Sequence, residues 1–292
     1  MACKVISVVN MKGGVGKTST VIGLGETLAT NPSDSVLVVD VDTQANASYC
    51  LAGEEIFKEL VRDERTIDAF LHRRLVDGDN CEIERFIRKH VSHLSHQNRH
   101  LDISLLASSP DLRVTEREII FYLTKRNLSM EAIEGKTIGI LAPAIELFRQ
   151  QYTYVIFDCA PGISAFTTAA ISVSDIIIIP TIPDFLSTLG LAAFARSILK
   201  ERRHNRSNSA AYVLITRKNK TKHHKEHHDL IKGRAGGPDS VFGIFDTVIP
   251  ESAIIPQALR SVNDAHPTYT QKYADPIGNI FSGLAKEIRG IK

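Results

Sequence analysis

The stretch from Lys4 to Thr20, KVISVVNMKGGVGKTST, constrains the fold more than any other part of this 292-residue chain. Five of the seven residues from 5 to 11 are apolar, which predicts a buried strand. The glycines and lysine that follow predict a phosphate-binding turn that opens a helix, because glycine lets successive N–H groups point at phosphate oxygens. We expect Lys17 to reach the β- and γ-phosphates and the Thr18 hydroxyl to ligate Mg²⁺. The candidate nucleotide-binding residues of this loop are Gly13, Gly14, Val15, Gly16, Lys17, Thr18 and Ser19.

The start of this loop departs from the general pattern GxxxxGK[ST]. Met11 stands where the first glycine is expected, and Lys12 follows it. A glycine-rich loop with this second lysine resembles the deviant Walker A loop of the ParA/MinD family of ATPases. The resemblance implies that Lys12 reaches across a nucleotide-sandwich dimer to the partner's phosphates, so we count it with Lys17 as a catalytic candidate.

Two carboxylates follow the next apolar run, in SVLVVDVDTQANAS at residues 35–48. The run at 36–39 predicts a parallel strand covered on both faces, with Asp40 and Asp42 at its carboxyl end. Residues two apart on an extended strand project the same way, so both carboxylates can face one metal or water, and a solvated strand end is the alternative. The segment resembles the VDxDxQxN pattern of the ParA family, met here by Asp40, Asp42, Gln44 and Asn46. By that resemblance Asp42 positions the attacking water and Asp40 supports the Mg²⁺ shell.

A third carboxylate stands in YTYVIFDCAPGIS, at residues 152–164. The apolar strand at 154–157 ends in Asp158, as expected of a Walker B carboxylate that holds Mg²⁺ through a water. The turn at Pro161 and Gly162 is a candidate γ-phosphate switch. Most ParA relatives read like DCPP here, whereas this chain has Ala160, which puts in doubt only how the switch moves. The expected metal-site residues are Thr18, Asp40 and Asp158.

Further apolar strands are predicted at 102–107, 174–180, 212–216 and 244–250, with amphipathic helical patterns between strands. This alternation predicts an α/β fold with a doubly wound, mainly parallel sheet and helices on both faces, as in P-loop NTPases. We expect one ATPase domain over 1–292 with a helical insertion around 53–100. Its helical spacing is carried by Ile67, Phe70, Leu71 and Leu75, and again by Ile83, Phe86, Ile87 and Val91.

Cysteine use and hydropathy predict a cytoplasmic protein. The four cysteines show no CxxC spacing, and no run reaches the roughly 18 apolar residues that span a bilayer. The apolar pattern at 276–288 fits a helix packed on the core better than a membrane-binding tail like that of MinD. The phosphate loop starts ten residues into the chain, so the resemblance implies no added N-terminal DNA-reading domain.

The sequence favours ATP over GTP. By resemblance to P-loop GTPases, guanine recognition needs an NKxD segment, and here Asn219 and Lys220 are followed by Lys222 where the acid should stand. We expect Asn219 and Pro250 to contact the adenine.

Charge is concentrated between residues 196 and 234, which hold twelve lysines and arginines against three carboxylates, or +9 in a chain of net charge +2. Such a face is the footprint expected for a phosphate backbone, although a solvated helix and loop is the alternative. Few aromatic residues interleave it, which favours sequence-independent binding of double-stranded DNA over stacking on single strands. The candidates are Arg196, Lys200, Arg202, Arg203, Lys218 and Lys222. Within the run, His223, His224, His227 and His228 are either metal ligands or, as we favour, groups whose protonation strengthens DNA binding.

The resemblance as a whole implies a slow, Mg²⁺-dependent ATP hydrolase that dimerises on ATP and binds DNA non-specifically. It implies a ParB-like adaptor that stimulates hydrolysis, a nucleoid-associated location, and the partition of a plasmid, chromosome or other cargo. A MinD-like membrane-positioning ATPase is the alternative, and no membrane partner is expected otherwise. An electron-transfer relative such as the nitrogenase iron protein would need paired cluster-ligating cysteines.

Overall fold

The computed structural model describes residues 2–201, 210–235, 240–259 and 267–291. The strands in these ranges are β1 (Lys4–Val8), β2 (Val36–Val41), β3 (Ser95–His96), β4 (Arg99–His100), β5 (Ile103–Leu106), β6 (Tyr154–Cys159), β7 (Ile176–Thr181), β8 (Ala210–Lys218) and β9 (Gly243–Pro250). Seven of them form one sheet in the order β5-β2-β6-β1-β7-β8-β9, and every neighbouring pair is parallel. The short strands β3 and β4 form a separate antiparallel hairpin.

Helices cover both faces of the sheet. They are α1 (Lys17–Leu28), α2 (Asn46–Arg62), α3 (Ile67–His72), α4 (Leu112–Thr124), α5 (Met130–Gln151), α6 (Ala165–Val173), α7 (Phe185–Glu201), α8 (Lys222–Ala235), α9 (Ile254–Ala258), α10 (Tyr269–Lys272) and α11 (Ile277–Gly290). Alternate residues of β2 enter two separate cores, one shared with α1, α2, α10 and α11 and the other with α3 to α8. The predicted doubly wound, parallel fold is confirmed.

The order of the strands brings the carboxyl ends of β1, β2 and β6 together. From β1 the chain passes through β2 to the edge strand β5, returns to β6, and then crosses to β7, β8 and β9 on the other side. The direction of winding therefore reverses around β1 and β6. Ligands of open α/β sheets bind outside the carboxyl ends of the strands at such a reversal.

The region around 53–100 contains less helix than its sequence predicts. Residues 83–86 form a single 3₁₀ turn, and no helix continues to Val91. The chain lies instead along the edge strand β5, where the N–H groups of Arg88 and Val91 donate to Leu105 and Ile103, both at 2.8 Å. The apolar residues at 83–91 are buried as predicted, but the unpaired backbone groups of an edge strand favour an extended neighbour.

The C-terminal helix packs on the core, as predicted. The apolar side of α11 is buried against α1, where a Cβ atom at Gly23 would lie 2.2 Å from the Phe281 ring. The Lys4 ammonium also donates to the carbonyls of Ile288 and Arg289, at 2.8 and 3.0 Å, and so caps the end of α11. In the described ranges, none of the helices has both the length and the apolarity to cross a bilayer.

Candidate nucleotide site

The glycine-rich loop joins β1 to α1 and is shaped for anions. Gly14 and Gly16 have φ angles of 73° and 88°, a region that other residues rarely adopt. The Lys17 side chain is buried, and its ammonium donates to the Lys12 carbonyl at 3.0 Å. Burial lowers the pKa of Lys17, against the opposing effect of Asp158 and Asp42. The loop thus places a lysine and the positive end of α1 at one point.

A cavity of about 660 Å³ opens in front of this loop, which is large enough for a nucleotide. Its phosphate end is lined by Gly13, Gly14, Gly16, Lys17, Thr18 and Ser19, with Asp42 and Pro161 beside them. Val15 lies behind the cavity, where its carbonyl accepts a hydrogen bond from Thr216 at 2.8 Å. The far end is lined by Thr216, Arg217, Ile249, Pro250, Glu251, Ser252, Ala253, Ile255 and Pro256. The predicted phosphate residues therefore share one cavity with a mostly apolar pocket that suits a base.

Asp158 is suited to hold a metal. It is fully buried at the end of β6, and neither carboxylate oxygen accepts an aligned hydrogen bond from the described residues. Burial and the nearby charge of Asp40 raise the pKa of Asp158 well above its ordinary value, while the Thr18 hydroxyl beside it opposes the rise. A buried carboxylate with free oxygens next to a hydroxyl matches the oxygen ligands that Mg²⁺ prefers.

Asp40 and Asp42 differ in what their oxygens contact. Asp40 faces Asp158 across neighbouring strands, but it already accepts the N–H of Asp42 at 3.0 Å and the N–H and hydroxyl of Ser48 at 2.9 and 2.7 Å. Burial raises the pKa of Asp40 to about 6 despite these bonds. Asp42 lines the cavity, and its Oδ1 accepts the Gln44 N–H at 3.0 Å. Of the two carboxylates, Asp42 lines the cavity and Asp40 does not.

The second loop lysine points away from the cavity. The Lys12 ammonium lies 3.0 Å from the Ser187 hydroxyl and 3.6 Å from Asp184, at the start of α7. About 40% of its side chain remains exposed. Lys12 and Lys17 therefore leave one loop in different directions.

The base end differs from the sequence prediction in one residue. Pro250 lines the cavity, but Asn219 is not among its lining residues and reaches it only through a 3.4 Å contact with Glu251. Arg217 lies there instead, and its guanidinium donates to the Gly14 carbonyl at 3.0 Å and to Glu251 at 3.3 Å. In the sequence, Arg217 is recognisable only as part of the basic run, and Glu251 belongs to no motif. Their positions at the ends of β8 and β9 were the available signal.

The described DNA-binding candidates do not form one cluster. Arg196 and Lys200 are exposed near the end of α7, toward the amino end of β8, whereas Lys218 and Lys222 lie at its carboxyl end. Arg202 and Arg203 lie outside the described residues. Lys218 contacts the Nδ1 atom of His228 at 2.5 Å, and burial together with this lysine lowers the pKa of His228.

Comparisons with known proteins identify the family and the fold. A family model described as an AAA domain matches residues 3–210. Two uncharacterized Pseudomonas putida proteins are 29% identical over 195 residues, which cover 67% of this chain and 62% of theirs. The chromosome partitioning protein ParA of Caulobacter vibrioides is 26% identical over 68% of this chain and 63% of its own length. The chain thus spans less than two thirds of these relatives. The ATP complex of a McdA variant from Cyanothece superposes with a TM-score of 0.68 at 21% identity, covering 100% of this chain and 98% of McdA.

Proposed function

Because the chain belongs to the ParA/MinD family of ATPases, we propose that it is a partition or positioning ATPase whose subunits close face to face on ATP. The observation that carries the proposal is the separation of the two loop lysines. Lys17 lines the cavity, where it would meet the phosphates of its own nucleotide. Lys12 points outward from the same loop, where a second subunit would approach.

The cavity supports ATP and Mg²⁺ as cofactors. Thr18 and Asp158 would hold the metal, which supplies positive charge to the β- and γ-phosphates when bound. Asp42 lines the cavity wall and would orient the attacking water. At the base end Pro250 and Ile255 provide apolar contact, while Arg217 and Glu251 provide the polar edge.

Exposed apolar side chains around the loop support a face-to-face dimer. Met11, Ile163, Phe185, Leu186 and Leu189 are between 41% and 68% exposed. Three of them belong to the first turns of α7, which Lys12 contacts. Their burial by a second subunit is favourable, and a monomer gains nothing from exposing them.

The dimer would hold double-stranded DNA through basic residues duplicated by symmetry, at a nucleoid-associated, cytoplasmic location. A ParB-like adaptor would stimulate slow hydrolysis and so release the DNA, moving a plasmid, chromosome or other cargo. The membrane-positioning alternative is less well supported, because the apolar side of α11 is already buried in the core.

Static light scattering with three variants tests this proposal. Asp42→Ala should remain a dimer in ATP and stay on DNA, since water is no longer oriented for hydrolysis. Lys17→Ala should lose nucleotide binding, whereas Lys12→Ala should bind ATP and stay monomeric, because only the contact with the partner is removed. A monomeric Asp42→Ala protein in saturating ATP would contradict the proposal. Equal behaviour of the two lysine variants would remove the separate role of Lys12.

A further inference from the structure

We propose that a closed ring of hydrogen bonds, formed by Asp40, Ser48 and Ser108 around Asp42, positions the Asp42 carboxylate for hydrolysis. Ser48 and Ser108 are then positioning residues of the reaction. The inference rests on the proposed ATPase function and adds two residues to it.

The ring begins and ends at Asp42. The Asp42 N–H donates to Asp40 Oδ1 at 3.0 Å, and Asp40 Oδ2 accepts the Ser48 hydroxyl at 2.7 Å. The Ser48 oxygen accepts the backbone N–H of Ser108 at 2.9 Å. The Ser108 hydroxyl then donates to the Asp42 carbonyl at 2.8 Å. Both backbone polar groups of Asp42 therefore belong to the ring, and its carbonyl also accepts the Ala45 N–H at 2.9 Å.

The ring joins three segments that are separate in sequence. Asp40 and Asp42 lie at the end of β2, Ser48 lies in the first turn of α2, and Ser108 follows β5. The strands β2 and β5 pair in parallel, so the Ser108 loop is brought beside the end of β2. The Asp42 side chain, which would orient the water, is thereby held in place by two rigid strands and a helix.

Burial makes the ring rigid. Asp40, Ser48 and Ser108 are fully buried and Asp42 is only 6% exposed. Water is excluded from replacing a lost partner. Ser48→Ala would therefore leave the Ser108 N–H without its acceptor, and Ser108→Ala would leave the Asp42 carbonyl with the Ala45 N–H alone, at 2.9 Å. The loss would allow the Asp42 backbone to rotate, and the orientation of its carboxylate would follow.

The ring also changes the role of Asp40. The three hydrogen bonds that Asp40 accepts come from Asp42 and Ser48, whereas neither oxygen of neighbouring Asp158 accepts an aligned hydrogen bond from the part of the chain that the structure describes. The geometry thus supports Asp40 as a member of the ring and Asp158 as the carboxylate available to a metal. This role differs from the expectation that Asp40 supports the Mg²⁺ shell.

Steady-state ATPase kinetics of the full chain, at saturating Mg²⁺, test the ring through Ser48→Ala, Ser108→Ala and the double variant. We expect each single variant to lower kcat about tenfold or more. The KM for ATP and the affinity for a fluorescent ATP analogue should stay within about twofold, because the phosphate loop is untouched. The double variant should be no slower than the worse single one, since a ring broken once is already open.

Ser92→Ala is the matched control. It removes another buried serine hydroxyl, which accepts the Leu94 N–H at 3.2 Å outside the ring, and should keep kcat near that of the unmodified protein. If Ser48→Ala fails to bind the ATP analogue, Ser108→Ala decides the outcome.

Three outcomes would overturn the inference. A kcat within twofold of the unmodified value, with intact ATP binding, would leave the ring without a role. A raised KM at unchanged kcat would assign it to nucleotide binding, and losses that multiply in the double variant would make the two serines independent. If the unmodified protein fails to hydrolyse ATP, both this inference and the proposed function fail, whereas normal hydrolysis in all variants removes the ring alone.

Discussion

At Asp158 the protein keeps a fully buried carboxylate without an aligned hydrogen-bond partner among the described residues. Native proteins seldom leave such a group unpaired, because a buried charge loses its hydration and gains nothing in return. The neighbouring Asp40 adds a second negative group in register on β2. The arrangement destabilises the protein without ligands and favours a bound cation, which is how a binding site differs from a packed core.

This cost predicts the effect of Asp158→Asn. Without nucleotide and Mg²⁺, the variant should be more stable than the unmodified protein by roughly 1–3 kcal/mol, since the cost of burying an ionisable carboxyl group is removed at nearly constant volume. Mg²⁺-dependent ATP hydrolysis should be lost. Urea unfolding measures the stability and phosphate release measures the activity. A destabilised variant would mean that Asp158 has a partner in the folded protein, and retained hydrolysis would remove it from the metal site.

The site residues that could be predicted from sequence are those whose role follows from local spacing. The phosphate loop, Asp42 and Asp158 stand at strand ends, and the parallel sheet brings strand ends together. Arg217 and Glu251 were missed because their contact depends on how β8 and β9 are placed against the loop. The link from Asp40 to Ser108 was also hidden, since Ser108 is distant in sequence and reaches Asp40 only through Ser48.

Among the elements, the buried parallel strands were the most predictable. β2, β6 and β7 are buried at every position, so their apolar runs have no other explanation in a chain of this length. The prediction of a helix at 83–91 was wrong for a physical reason. Apolar residues at spacings of three and four fit a helix or an irregular chain beside an edge strand, and the sequence alone does not show where an edge lies.

The helix that carries the phosphate loop is fixed to the C-terminal part of the chain by a buried ion pair. Lys272 of α10 lies 2.7 Å from Glu26 of α1, and both side chains are at most 6% exposed. The Tyr273 hydroxyl donates to the other oxygen of Glu26, and the hydroxyls of Tyr269 and Thr27 lie 2.7 Å apart. The position of α1, and so of the loop, depends on this pair.

Lys272→Met should therefore destabilise the protein strongly, by about 3–5 kcal/mol, because Glu26 is left as an uncompensated buried charge. Adding Glu26→Gln should recover part of the loss. Thermal and urea unfolding measure both changes. Lys58→Met is the control, since it breaks an exposed pair with Glu54 at 2.5 Å and should leave the melting temperature nearly unchanged. Equal effects at the two positions would contradict the role assigned to burial.

At the scale of the whole molecule, the carboxyl edge of the sheet holds the nucleotide cavity and the five exposed apolar side chains around the phosphate loop, Met11, Ile163, Phe185, Leu186 and Leu189. The basic residues lie partly at that edge and partly at the opposite one, near the end of α7. A surface covered by a second subunit would be closed to DNA. The end of α7 is therefore the better candidate for the DNA-binding surface. Lys218 supports this choice, because its side chain already contacts His228.

The salt dependence of DNA binding distinguishes these two ends. If each subunit of an ATP-bound dimer neutralises about three phosphates, log K falls against log salt with a slope near −5, at about 0.9 per phosphate. Arg196→Gln with Lys200→Gln removes two charges per subunit, so the slope should become shallower, changing from about −5 to about −2. Lys222→Gln, at the opposite end of β8, is the comparison and should keep the slope of the unmodified protein. Measurements by fluorescence anisotropy at several salt concentrations would separate the variants, and ATP-dependent dimerisation should be retained in all of them.

A slope changed by Lys222→Gln alone would place DNA beside the nucleotide edge, and the two subunits would then have to leave that edge open.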